Sequence, residues 1–291
     1  MKIRLKKTQA KLGSFWPKLF SFILLISIFL IFSGCSSSLQ KAKVDFTRAE
    51  ALNKAYQEEE AVSFYKKSLE EANREIKKKP SSQAYLLRGL NEVNLNRWDE
   101  AEESFRLAAS LGDDRAETWA TEVGLYGLAL SLEKQRMDEA SARLYSSLAE
   151  KGKFSPVVMA AVSRLIDSKL KLIAEASPAQ KDKLLNECLK IIEKPLSENL
   201  AIGYYHYLLA QVLGYQKKYR DSFEEAVMAT ELGLPTEKIS RDNDNQIIFC
   251  YRQLKNELSP EEWKSFSSIY NSWIKKWKWL DETTPTWKRR E

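Results

Sequence analysis

The side chains with the most chemical scope in this chain are three thiols, Cys35, Cys188 and Cys250, and a single imidazole, His206. A hydrolytic or group-transfer site needs a nucleophile, a base and a partner that orients the base, or else a metal held by three or four ligands. His206 lies in the run GYYHYLL with no Cys/His cluster to complete such a set, and it reads as a packed or surface residue. There is no glycine-rich phosphate loop and no G-x-S-x-G elbow. The acidic runs QEEE (from Gln57) and DEAEES (from Asp99) have the spacing of solvated helix faces, with Lys or Arg nearby for i,i+4 pairs. These residues point to no catalytic centre, no metal and no cofactor, and the chain reads as a non-enzyme.

Cys35 is a thiol of another kind, because of what precedes it. Lys2, Arg4, Lys6, Lys7, Lys11 and Lys18, with no acidic residue among them, lead into the apolar run FSFILLISIFLIF. That order is a secretory signal. The stretch from Leu19 to Phe32 falls short of the roughly 20 residues needed to cross a hydrocarbon core, so a permanent span is not expected. The next residues, Phe32-Ser33-Gly34-Cys35, resemble the lipobox of bacterial lipoproteins, in which small residues precede a cysteine that is acylated and becomes the first residue of the mature protein; Phe32 stands where Leu is usual. The resemblance implies a signal peptide over 1–34, acyl chains on Cys35, a short tether over 35–40, and attachment to a bacterial envelope membrane. One acyl chain binds only marginally, at about 0.8 kcal/mol per buried methylene, whereas two or more make attachment durable. Ser36 follows the cysteine where Asp would signal retention, which favours the outer membrane and a periplasm-facing domain.

The formal charge of +6 comes from those six leader residues; beyond them the basic and acidic residues balance at 40 each. A nucleic-acid partner would need a surplus of Lys and Arg facing phosphate, and none is left. Glycine and proline are scarce, 10 and 8 in 291 residues, and charged residues make up 30%. Few turn formers and many helix formers imply an all-α chain. Cys188 and Cys250 sit in the apolar helical stretches LLNECLKII and IIFCYRQL. Two buried, inert thiols fit that setting, but an envelope compartment also permits a disulfide, and the sequence leaves the two open.

A helical chain is searched first for self-similarity. The clearest unit starts at Ser82, with Tyr85, Gly89, Trp98, Ala101, Phe105 and Ala108 at positions 4, 8, 17, 20, 24 and 27. This is similar to the tetratricopeptide repeat, a 34-residue helix-turn-helix unit in which small residues let two antiparallel helices approach and aromatics fill the space between them and the next pair. The frame recurs at Ala61 and Tyr65, at Met137, Ala140 and Leu144, and at Ala210, Tyr219, Ala226 and Ala229, with Ser222 in place of one alanine. Ala61, Ala101 and Ala140 are 40 and 39 residues apart, so helices are longer or links looser than in a strict repeat. Ser-Pro at 155 and 177 opens two further helices, Pro156 to Ala176 and Pro178 to Lys194, with Pro195 closing the second. Another helix is expected over Ile239 to Leu258, and Ser259-Pro260-Glu261-Glu262 has the form of a capping box. The expected fold is therefore a repeat domain over 41–258, a C-terminal capping helix over 259–280 and an irregular tail over 281–291. The repeat resemblance implies a right-handed superhelical solenoid of helical hairpins.

Repeats of this family offer a concave groove, and the resemblance places its lining at Leu86, Leu90 and Val93, beside Gln83 and Asn94, in the clearest unit. In the last unit it places Tyr204, Tyr207, Gln211 and Tyr215 there. Tyrosine gives contact area at low entropy cost, although neighbouring helices could equally cover these side chains. Trp263, Phe266, Tyr270, Trp273 and Trp277 form one stripe of the final helix. That stripe suits a helix closing the end of a solenoid; with the adjoining lysines of NSWIKKWKWL it also suits a membrane interface. The resemblances together imply a membrane-anchored scaffold or adaptor for envelope proteins in assembly or secretion. The second reading is an accessory lipoprotein of a solute transporter, holding a small ligand in an enclosed cavity or docking a solute-binding protein.

Overall fold

A computed structural model describes residues 37–280 and 287–289, and the signal peptide over 1–34 and the acylated Cys35 lie outside the described residues. Twelve α-helices run through the described residues: α1 (Ser38–Lys54), α2 (Glu58–Lys78), α3 (Ser82–Asn94), α4 (Trp98–Asp114), α5 (Thr118–Lys134), α6 (Asp138–Lys151), α7 (Ser155–Ile173), α8 (Pro178–Glu198), α9 (Gly203–Tyr215), α10 (Tyr219–Leu232), α11 (Glu237–Leu254) and α12 (Pro260–Trp277). The fold is all-α, as the scarcity of turn formers implies, and its helices pack chiefly on their sequence neighbours. The chain divides into two compact units, the first ending at Val162 and the second starting at Ser163.

Five of the connections share one geometry. Tyr56, Asn96, Ala116, Arg136 and Lys217 each adopt a left-handed backbone, with φ of 61°, 59°, 55°, 62° and 61°. The amide of the following residue reaches back five positions: Gln57 to Leu52, Arg97 to Glu92, Glu117 to Gly112, Met137 to Leu132 and Lys218 to Leu213, at 2.8–3.0 Å. This is the Schellman closure, which satisfies carbonyls left open at a helix end. None of the five is glycine, so each holds a conformation that L side chains ordinarily avoid.

In the first unit, Phe105 of α4 is fully buried between two glycines, Gly89 of α3 and Gly127 of α5. A methyl group at Gly89 would come within 2.8 Å of the ring, and one at Gly127 would overlap it outright. Gly124 brings α5 so near α4 that an added methyl would lie 2.8 Å from the Ala109 amide nitrogen. Acidic groups hold the same unit together from inside. The Tyr65 hydroxyl donates to Glu50 at 2.6 Å, that of Ser104 to Glu92, and that of Tyr145 to Glu133 at 3.0 Å. Burial raises the Glu92 carboxyl, against the Ser104 hydrogen bond and the nearby Arg88, which lower it.

In the second unit a core of Ala210, Phe223, Ala226, Ile247, Cys250, Leu254, Phe266 and Trp273 joins α9, α10, α11 and α12. The aromatic stripe of α12 supplies Phe266 and Trp273 to this core; Phe266 meets Phe223 edge-on at 4.6 Å, and Tyr270 beside it stacks on Tyr251 at 3.7 Å. Ser259 and Glu262 form the expected capping box, with the Ser259 amide donating to Glu262 at 3.0 Å and the Glu262 amide to Ser259 at 3.4 Å.

Several boundaries differ from expectation. Helix α1 starts at Ser38, capped by the Ser37 hydroxyl, which accepts from the Gln40 amide, so the expected tether over 35–40 is shortened by its last three residues. Pro195 does not close α8 but lies inside it, and the helix continues to Glu198. A proline near a helix end removes one ladder hydrogen bond without stopping the final turn. Capped by Thr236, α11 starts at Glu237, two residues ahead of the expected start, and ends at Leu254, not Leu258. The expected helix over 259–280 stops at Trp277; Lys278–Leu280 instead pairs antiparallel with Trp287–Arg289, a strand within the tail expected to be irregular.

Candidate functional site

The groove residues expected in the first unit are core. Leu86 is fully buried, and Leu90 and Val93 are 3% and 7% exposed. Beside the strip, Lys43 Nζ of α1 donates to Gln83 at 3.4 Å, while the Asn94 amide turns back to the Leu90 carbonyl at 2.9 Å. Apolar residues repeated along one face of α3 are what its neighbours pack on, so Leu86, Leu90 and Val93 offer nothing to a partner.

The second unit is different. Tyr204 is 3% exposed and belongs to the core, its hydroxyl 2.7 Å from Ser163 of α7. Tyr207, half-buried, stacks on Tyr204 at 5.7 Å, and one and two turns further along α9 come half-buried Gln211 and Tyr215, 52% exposed. Thus the structure separates the four expected residues: Tyr204 lies under the face, and Tyr207, Gln211 and Tyr215 lie on it.

Residues from two other helices extend this face. Burial raises the Tyr207 hydroxyl, and the carboxylates of Asp242 on α11 and Asp167 on α7 raise it further. Burial also raises the Asp242 carboxyl, against Lys238 and Arg241. One turn on from Asp242, Gln246 packs where Gly214 has no side chain and donates to the Ser222 hydroxyl at 2.8 Å. Another turn on, Phe249 is 43% exposed and meets Tyr219 edge-on at 5.7 Å. Tyr207 and Tyr215 on α9 and Phe249 on α11 are thus partly exposed rings on neighbouring helices, with Asp167 and Asp242 acting on Tyr207. Chemically they suit contact with aromatic and cationic side chains. The sequence frame found the α9 component; Asp242 and Phe249 were missed because the repeat frame does not reach α11, and only their i,i+7 spacing could have marked them.

The remaining reactive groups are structural. Cys188 and Cys250 are free and fully buried. Burial pushes the Cys188 thiol up to about 11 and raises that of Cys250, which donates to Ser222 at 3.2 Å. Among the described residues no group of three His, Cys, Asp or Glu could hold a metal ion. No described helix is long and apolar enough to cross a membrane. An open depression runs along the polar side of α12, lined by Lys264, Ser267, Ser268, Asn271, Ser272 and Lys275.

His206 is 8% exposed and joins two elements: Nδ1 is 2.6 Å from Glu225 on α10, and Nε2 is 2.9 Å from the Leu200 carbonyl ahead of α9. Glu225 raises the imidazole above its ordinary value, with burial opposing. A raised folded value means the protonated ring stabilises the fold fully below the unfolded value of about 6.5, and that this contribution is lost as pH rises through the folded value. The stability gap between the wild type and His206→Gln, read by urea denaturation, is therefore expected to be widest near pH 6 and to narrow as pH rises.

No protein-family model matches the chain, and comparison with curated proteins found no match.

Proposed function

We propose that this chain is a membrane-anchored, periplasm-facing lipoprotein whose tetratricopeptide-like hairpins form a scaffold or adaptor for another envelope protein, with the lipid on Cys35 and the outer membrane as its site. The observation that carries the scaffold reading is the set of partly exposed rings Tyr207, Tyr215 and Phe249, with the carboxylates of Asp167 and Asp242 acting on Tyr207. Tyr215 and Phe249 are left about half exposed, and exposed aromatics can dominate binding without carrying the fold. The hairpin reading draws support from the five equivalent turns. It is supported too by Phe105 seated between Gly89 and Gly127, the small-and-aromatic pairing that the repeat frame uses. The α12 stripe, with Phe266 and Trp273 buried on α10 and α11, is what a capping helix requires.

The test is a photoreactive residue placed at Tyr215 in intact cells, with the same residue at Lys264 as control. A discrete protein adduct is expected from position 215 alone, falling at least fivefold when Asp242→Lys is added. Equal adducts at both positions, or none at 215, would defeat the scaffold reading. An adduct to a solute-binding protein would shift the function to the transport accessory.

A further inference from the structure

The first hairpin is polarised in charge along its length. Tyr65 bonds Glu50 and Ser68 bonds Ala42, so α1 and α2 run antiparallel, and the C-terminal end of α2 lies beside the start of α1. Beyond these contacts α2 runs from Ser68 to Lys78, whereas α1 reaches back only from Ala42 to Ser38. At a rise of about 1.5 Å per residue, α2 overhangs the first residue of α1 by roughly 9 Å. The overhanging turn and its cap are Lys77, Lys78 and Lys79, all exposed, and exposed Lys41 lies on the first turn of α1. Of the acidic groups on the same turns, Glu71 is paired with Arg74 at 2.6 Å and Glu75 is half-buried. The opposite end of α2 opens on Glu58, Glu59 and Glu60.

Between Cys35 and the start of α1 stand only Ser36 and Ser37, a link that spans at most about 10 Å. The overhang of α2 and the reach of this link are equal. With Cys35 held at a bilayer, a link of this length lets the ammonium groups of Lys77, Lys78 and Lys79 reach the headgroups. We infer that Lys41, Lys77, Lys78 and Lys79 form a contact for anionic phospholipid headgroups, which fixes the orientation of the first unit on the membrane, with the acidic end of the hairpin pointing away. The inference rests on the reading of Cys35 as the lipid anchor. Each lysine near an anionic surface adds attraction that falls off within a Debye length, so the contact is sensitive to salt.

The test uses the full chain purified from membranes and reconstituted into vesicles of phosphatidylcholine alone or of equal parts phosphatidylcholine and phosphatidylglycerol. Lysines are acetylated briefly and quantified by mass spectrometry after digestion at glutamate. On phosphatidylglycerol, labelling of Lys41, Lys77, Lys78 and Lys79 is expected to fall at least threefold, to recover in high salt, and to be unchanged at Lys264 and Lys275. A chain with Lys77→Gln, Lys78→Gln and Lys79→Gln is expected to lose the protection at Lys41. Equal labelling on both vesicles, uniform protection at every lysine, or protection by inorganic phosphate on phosphatidylcholine would overturn the inference. The same digest weighs the peptide containing Cys35: an acylated peptide without lysine protection sinks this inference alone, and an unacylated one removes the anchor on which it rests.

Discussion

Trp273→Ala is expected to lose about 3–5 kcal/mol in chemical denaturation, the range for truncating a large buried aromatic. Trp273 is 3% exposed in the core shared by α9, α10, α11 and α12, with the Tyr270 ring at 5.8 Å. Removing the indole takes a large buried ring out of a core of Ala, Ile, Leu, Cys and Phe side chains, which relax only partly into the space left. Ile269, on the same helix and 50% exposed, serves as the control, and Ile269→Ala should cost under about 1 kcal/mol. A membrane role for the stripe gives the reverse: a stable Trp273→Ala chain that binds vesicles less well. Equal, small losses at both positions would remove the capping role of α12. The side chain of Trp277, the last ring of the stripe, lies outside the described residues.

Phe105→Ala is expected to cost a similar 3–5 kcal/mol, and its interaction with Gly127 is the more telling measurement. The Phe105 ring fills the space that Gly127 leaves empty, so Gly127→Val in the wild-type background forces the ring and helix α4 apart, an overpacking cost of about 1–3 kcal/mol or more. With Phe105→Ala already in place, the valine has a cavity to enter. The two losses should then combine to less than their sum by about 1 kcal/mol or more, since residues in contact do not add. Additive losses, measured by urea denaturation of the four chains of the cycle, would show that the glycine serves something other than the ring.

These two positions mark what the sequence disclosed and where it stopped. The aromatic stripe of α12 was legible because a period of three and four residues needs only one helix to be seen, and Phe266 and Trp273 are buried where the stripe placed them. The capping box at Ser259 was legible for the same reason, its signal and its partner being three residues apart. Gly127 carried no such mark, because its cause is a ring on another helix. The groove strip at Leu86, Leu90 and Val93 failed on accessibility: a repeat frame says which side of α3 these residues share, but whether other helices cover that side depends on contacts distant in sequence. The same frame placed Tyr215 on an open face because less of the chain packs there. The left-handed residues of the turns were invisible, since Ala116 and Arg136 are poor signals for positive φ.

Those turns also bear on how the chain acquires its structure. Each closes over six residues, and most helix contacts join elements adjacent in sequence. The relative contact order is therefore low, and little loop-closure entropy stands between the extended chain and its first native contacts. A hairpin such as α1 with α2 can close as soon as its own residues are free, without waiting for the C-terminus. Chain emerging end first, from a ribosome or through a pore, can fold in segments from Ser38 onward, each new helix adding to a surface already in place, with α12 last to cover the rings of α10 and α11.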